Sequence, residues 1–314
     1  MRQHPLHTRL RGAFIAPITP MHEDGRVNGG AVAELTRFIL AAGLEGHGGL
    51  LPVSSTGEFM SLSESEYDEV VGETVEAAAG TVPVIAGANH MDTAGAVDRA
   101  RRAQRLGADG VLAGPPFYFR PTREEVIDHF RRISGAVEIG VLVYDNTFAT
   151  QLDLDEDLFA ALAELPNVVG TKDGTMDVFA FDRIRRRVGD QIAILSAPGE
   201  WNEPAARLGG AAGFVSVLGT LAPELTVGLE RLVRAGDHAA AAAMAQRIRP
   251  LMTAIEPDGG GTYISALKAG LQLRGIAAGP VRPPLRALHE GEMAALEIAL
   301  REVGLAAVAR GALA

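Results

Sequence analysis

The stretch Val168-Val169-Gly170-Thr171-Lys172-Asp173-Gly174 contains a lysine, and the chain has only one other, Lys268. The remaining 27 of the 29 basic residues are arginine. Arginine supplies charge and hydrogen bonds, but only an amine condenses with a keto group to form an imine. A lysine kept where arginine is otherwise used therefore points to imine chemistry at Lys172. Lys268 lies in the helical run Ser265-Ala266-Leu267-Lys268-Ala269-Gly270, where a structural role is expected. Other groups could serve an imine-forming amine. Tyr144 ends the run Val141-Leu142-Val143-Tyr144, and a phenol can pass protons to and from a substrate. Tyr118 follows Gly114-Pro115-Pro116-Phe117. The segment Ser54-Ser55-Thr56-Gly57-Glu58 collects hydroxyls and backbone N–H groups just ahead of a helix, a setting that suits a carboxylate. Tyr67 and Tyr263 are expected to serve structure.

These residues need elements to position them. Short apolar, β-branched runs at 13–18, 49–53, 82–86, 110–113, 140–144, 168–172, 192–196 and 213–217 read as strands, each followed by a helical stretch. Ser63-Glu64-Ser65-Glu66 and Thr122-Arg123-Glu124-Glu125 fit the capping box that starts a helix. Eight βα units in about 225 residues predict a (β/α)8 TIM barrel, an α/β fold. A doubly wound open sheet is the rival, and it is weakened because no Gly-rich phosphate fingerprint follows the first strand. Barrel enzymes carry their chemistry at the C-terminal strand ends. Lys172 closes strand six and Tyr144 closes strand five, its neighbour. Alternation along a strand makes Lys172 and Asp173 diverge. The barrel is expected over 1–235. A C-terminal helical extension is expected over 236–314, with helices at 239–255, 263–275 and 290–303 and breaks at 257–261 and 279–284.

The bulk numbers set limits. The net charge of −10 argues against a nucleic-acid or anionic-membrane partner. With no cysteine, disulfides and thiolate chemistry are excluded. No His-x-x-x-His or His-Glu-x-x-His spacing occurs, so no metal is expected. His47 reads as structural. The first residues, MRQHPLHTRLRG, hold no apolar run of the kind a signal peptide needs, and the expectation is a cytoplasmic protein without a membrane segment.

The ordered set resembles the dihydrodipicolinate synthase / N-acetylneuraminate lyase family. Ser-Ser-Thr-Gly-Glu follows strand two, Pro-Pro-Phe-Tyr follows strand four, Tyr ends strand five and Lys ends strand six, and the likeness runs over nearly the whole chain. The resemblance implies a lyase that joins Lys172 to a small-molecule 2-keto acid as an imine, with no added cofactor. It makes Tyr144 the proton shuttle. Ser55 and Thr56 become the pair that holds the keto-acid carboxylate, with Thr56 relaying protons. Tyr118 becomes a catalytic tyrosine lent across a dimer interface in a homotetramer built as a dimer of dimers. The loops after strands seven and eight, 196–203 and Ser216-Val217-Leu218-Gly219-Thr220, are expected to shape the far end of the substrate, with Ser216 a binding residue. Two departures set the chain apart from the lysine-pathway synthase. Ala149 stands five residues after Tyr144, where that enzyme has an arginine for a second carboxylate, and the strand-two loop starts Ser54-Ser55 rather than Gly-Thr. Other stretches are similar to 5-dehydro-4-deoxyglucarate dehydratase: Gly57-Glu58-Phe59-Met60-Ser61-Leu62, Lys172-Asp173-Gly174 and Ala278-Gly279-Pro280-Val281-Arg282-Pro283-Pro284-Leu285 among them. The expected activity is a keto-deoxy sugar-acid dehydratase or aldolase. The alternatives are a 4-hydroxy-tetrahydrodipicolinate synthase, condensing pyruvate with aspartate semialdehyde, and a non-catalytic keto-acid-binding barrel.

Overall fold

Prolines set the limits of the first three strands, because a residue without an N–H cannot continue a ladder. In the computed structural model, which describes residues 4–256 and 261–305, β1 is Gly12–Ile15 and stops short of Pro17. β2, Gly48–Leu50, ends before Pro52 and before Val53, whose φ of 54° turns the chain away. β3, Ile85–Gly87, begins after Pro83. All three are shorter than or shifted from the predicted runs. β4 (Gly110–Ala113), β5 (Gly140–Tyr144), β6 (Val168–Asp173), β7 (Ala193–Ser196) and β8 (Gly213–Ser216) lie within a residue of prediction. Of the predicted break at 257–261, only Gly261 falls among the described residues, and 306–314 of the predicted helical region lie outside them.

The strands pair in parallel in the order β2-β1-β8-β7-β6-β5-β4-β3. The parallel bridge Leu50–Val84, with Leu50 N–H donating to Pro83 O and Gly87 N–H to Pro52 O, both at 2.9 Å, draws the two edges together. The result is a nearly closed (β/α)8 barrel, which removes the open-sheet rival. Phe14, Leu51, Ile85, Leu112, Leu142, Leu195 and Val215 fill the lumen. Leu6 and Leu10, on and just after the short turn Pro5–Arg9, plug its lower end. Gly110 and Gly140 leave room for that plug, since a Cβ on either would come within 2.7 or 2.6 Å of Leu6 Cδ2. Burying each such leucine contributes about 1.5–3 kcal/mol.

Both predicted capping boxes form, Ser63 with Glu66 and Thr122 with Glu125. The C-terminal helices His238–Ile255, Tyr263–Leu273 and Glu290–Glu302 share one apolar cluster with the barrel, in which Ile248, Leu267 and Leu300 meet Ile15, Leu50 and Leu221. Lys268 is structural, as expected. It is buried, with Nζ 2.7 Å from Glu58 Oε1 and donating to Pro280 O at 2.7 Å. Among the described residues no helix is long and apolar enough to cross a membrane.

Candidate active site

A slip between two strands sets up the site. Val141 pairs with Val168, but Leu142 pairs with Gly170, so Val169 is an extra residue in β6. Without that extra residue Tyr144 would face Thr171, and Lys172 would sit on the other side of the sheet. With it, Tyr144 and Lys172 are direct neighbours. Lys172 Nζ rests over the Tyr144 ring, 4.0 Å from its centroid, within cation–π range. Lys172 is 7% exposed, and no carboxylate among the described residues pairs with it. Burying a charge without a partner is costly, so packing gives no reason for a lysine here.

Tyr144 is half-buried, and its Oη accepts a hydrogen bond from Asn146 Nδ2 at 3.1 Å. The phenol's own proton is left free for another acceptor. Asn146 was not singled out from the sequence, because its role depends on the chain doubling back after β5.

The loop after β2 is tightly held. Gly57 N–H donates to Ser54 O, Glu58 N–H to Ser55 O, and the Thr19 hydroxyl to Gly57 O at 2.7 Å. Val53 and Glu58 both have left-handed backbone, a strained choice for a β-branched residue and typical of functional loops. Glu58 anchors the far end through Lys268 and through the Arg282 N–H at 3.1 Å. The Ser55 and Thr56 N–H groups take no part in the turn's hydrogen bonds. They and the two hydroxyls are the groups in this loop suited to a carboxylate.

Tyr263, assigned to structure from the sequence, belongs here instead. It opens the helix Tyr263–Leu273 and lines the same cavity as Ser55 and Tyr144. Ser55, Asn89, Tyr144, Asn146, Thr150 and Tyr263 are the polar side chains lining a cavity of about 500 Å³. Phe59, Met60, Phe117 and Phe148 form its apolar wall, Ala149 is at its edge, and no charged side chain lines it among the described residues. Tyr67 is structural as expected, buried with its hydroxyl donating to Arg99 O.

Of the predicted site residues, Ser55 and Tyr144 line this cavity; Lys172 adjoins it through the Tyr144 ring, Thr56 lies beside Ser55 in the strand-two loop, and Tyr118 and Ser216 stand apart. Tyr118 is 76% exposed and packs edge-on against Phe119, with centroids 4.9 Å apart. Ser216 is fully buried. Its hydroxyl donates to Glu200 Oε1 at 2.5 Å and accepts from Gly219 N–H at 2.7 Å. That hydroxyl holds the strand-seven loop. Thr226 donates to the same Glu200 oxygen at 2.7 Å.

The residues after Tyr144 and Lys172 face the other way. Asp145 and Asp173 are buried, and neither Asp145 Oδ1 nor Asp173 Oδ2 has a hydrogen-bond partner among the described residues. Burial, with the nearby Asp173 charge adding to it, pushes the Asp145 carboxyl up to about 7. Burial pushes Asp173 up to about 6, opposed by a hydrogen bond from Thr175 N–H. Lys172 and Asp173 thus diverge. Among the described residues no group of three or more His, Asp or Glu side chains is placed to hold a metal ion.

Fold and mouth together define a (β/α)8-barrel enzyme of the lyase class. The chain belongs to the dihydrodipicolinate synthetase family, whose sequence profile matches residues 9–303. The family resemblance seen in the sequence is borne out. A 4-hydroxy-tetrahydrodipicolinate synthase of Methylobacterium radiotolerans is 34% identical over 302 residues, covering 95% of this chain and 97% of that one. A monomeric dihydrodipicolinate synthase variant is 29% identical with a TM-score of 0.89, covering 96% of this chain and 99% of its own. A dihydrodipicolinate synthase from Acinetobacter baumannii, complexed with pyruvate, is 29% identical with a TM-score of 0.87, covering 94% and 99%.

Proposed function

We propose that Lys172 forms an imine with a short 2-keto acid, pyruvate foremost, and that the derived enamine makes or breaks a carbon–carbon bond with an aldehyde. The observation that carries this is the buried Lys172 amine without a counter-ion, lying on the Tyr144 ring. Ser55 and Thr56, through hydroxyls and free N–H groups, take the C1 carboxylate. The amine attacks C2, and a proton moves from nitrogen to oxygen to give a carbinolamine. Tyr144 donates its proton to the departing hydroxyl, which leaves as water, with the protonated imine and a phenolate remaining. The phenolate then removes a proton from C3, giving the enamine and restoring the phenol. Asn146, donating to Tyr144 Oη, stabilises the phenolate in between.

The names of the relatives weigh towards the synthase alternative over the sugar-acid dehydratase, and so towards carbon–carbon chemistry with pyruvate. With alanine at 149 and an uncharged cavity wall, the second partner is an aldehyde whose far end carries no carboxylate. Tyr118 and Phe119, both largely exposed, suit an interface between copies, in line with a homotetramer. A turnover panel separates the readings. Pyruvate with uncharged aldehydes should react at least about tenfold faster than pyruvate with aspartate semialdehyde, a difference of about 1.4 kcal/mol. Turnover of five- and six-carbon keto-deoxy acids alone, with loss of water, would reject the carbon–carbon reading.

A further inference from the structure

Resting on the imine reading above, we propose that Asp145 and Asp173 hold one proton between them, and that this proton keeps Tyr144 seated against Lys172. They are positioning residues, acting through the two groups in front of them. Strand register places them. Tyr144 pairs with Lys172, and Asp145 N–H donates to Lys172 O at 3.0 Å, so Asp145 comes opposite Asp173 one step further on. Side chains alternate along a strand, so both carboxyls lie behind the pair at the mouth. Asp145 is 3% exposed and Asp173 1%. Asp145 Oδ1 and Asp173 Oδ2 lack hydrogen-bond partners, and no cation pairs with either carboxyl among the described residues. Thr175 N–H donates to Asp173 Oδ1 at 3.1 Å. The further charge acting on Asp145 is Asp153, an exposed carboxylate that accepts from the Thr147 hydroxyl and also opposes ionisation.

Two buried carboxyls side by side do not both ionise cheaply, because burial and like charge each favour the protonated form. Burial raises both here, to about 7 at Asp145, where the Asp173 charge adds to it, and to about 6 at Asp173. They titrate as a unit, and the last proton leaves near neutrality. Below that point the pair carries a single charge. Above it, two like charges push on neighbouring strand ends. Those ends have little slack, since a Cβ on Gly174 would come within 2.4 Å of Asp145 O. The strain is relieved when β5 and β6 part beyond Tyr144 and Lys172, which lifts the phenol from the amine.

Methyl proton exchange of pyruvate in heavy water, followed by NMR, reports enamine formation. An amine alone, or a phenolate base alone, works faster as pH rises. The pair predicts the opposite: a fall of about tenfold between about pH 6 and pH 8, since only about a tenth of a group titrating near 7 keeps its proton one unit higher. Asp145→Asn and Asp173→Asn each leave one carboxyl, and the fall should shrink below about twofold in both. With carbon-13 at the aspartate carboxyls, two wild-type resonances should still titrate over this range, where ordinary aspartates are fully ionised. If a variant fails to fold, these wild-type measurements decide. Wild-type exchange that rises or stays flat, a fall of equal size in both variants, or no aspartate titrating near neutrality would overturn the proposal. A wild-type chain that exchanges no pyruvate proton at any pH defeats the imine reading instead, and the carboxyl titration still judges the pair.

Discussion

Lys172 was legible because the sequence is so poor in lysine and because the residue closes a β-branched run. Tyr144 was legible by its place one unit earlier. Tyr263 was not, since it reaches the cavity only after the chain has travelled round the barrel and back. The Asp145–Asp173 pair was hidden for a related reason: it exists because Val169 is extra, and a one-residue bulge leaves no mark in hydrophobic periodicity. That pair has a measurable consequence. Both carboxyls titrate above their ordinary range in the fold, so the folded chain holds protons that the unfolded chain has lost. Stability is full below the ordinary carboxyl range and falls as pH rises through about 4 to 7. Melting temperatures of wild type and Asp145→Asn should therefore diverge with pH, the variant gaining roughly 2–4 °C on wild type between pH 5 and pH 8 for each kcal/mol involved. A gap that stays constant with pH would show that burial does not perturb these groups.

Among the elements, the capping boxes and alternating strands were readable because local chemistry decides them. The first three strands are shorter than or shifted from their apolar runs because Pro17, Pro52 and Pro83 remove ladder donors. The ties between elements were not readable. Lys268 on one helix, Glu58 in the strand-two loop and the Arg282 backbone form a buried junction. The Arg282 guanidinium continues it to Glu66, Ser61 O and Gly25 O. The hydrogen bond from Arg282, aided by Ser63, holds the Glu66 carboxyl down at about 2. The stretch around Arg282, noticed first as a family likeness, thus clamps the loop that presents Ser55 and Thr56. Breaking one partner of a buried ion pair typically costs about 3–5 kcal/mol. Lys268→Ala should lower the urea midpoint accordingly and weaken pyruvate binding as the loop loosens. Unchanged stability with unchanged binding would mean that the junction does not hold the loop.

At the scale of the whole molecule, eight periods of strand and helix were enough to give the barrel, since few architectures satisfy eight parallel strands. The C-terminal helices could be counted but not placed, because their apolar faces have no sequence signal for which part of the barrel they cover. They cover the β1–β2 side, where Ile248 and Leu300 join the barrel's own cluster. Sedimentation should give a tetramer, and Tyr118→Asp with Phe119→Asp should shift it to smaller species. A wild-type monomer across the working concentration range would contradict the assembly.

The most direct measurement is borohydride reduction in the presence of pyruvate, followed by peptide mass spectrometry. The expected result is a single reduced adduct on Lys172, absent in Lys172→Arg although that variant keeps the charge and the fold, with Lys268 unmodified because it is sealed against Glu58. An unmodified Lys172 with every 2-keto acid tried, or an adduct that persists in Lys172→Arg, would contradict it.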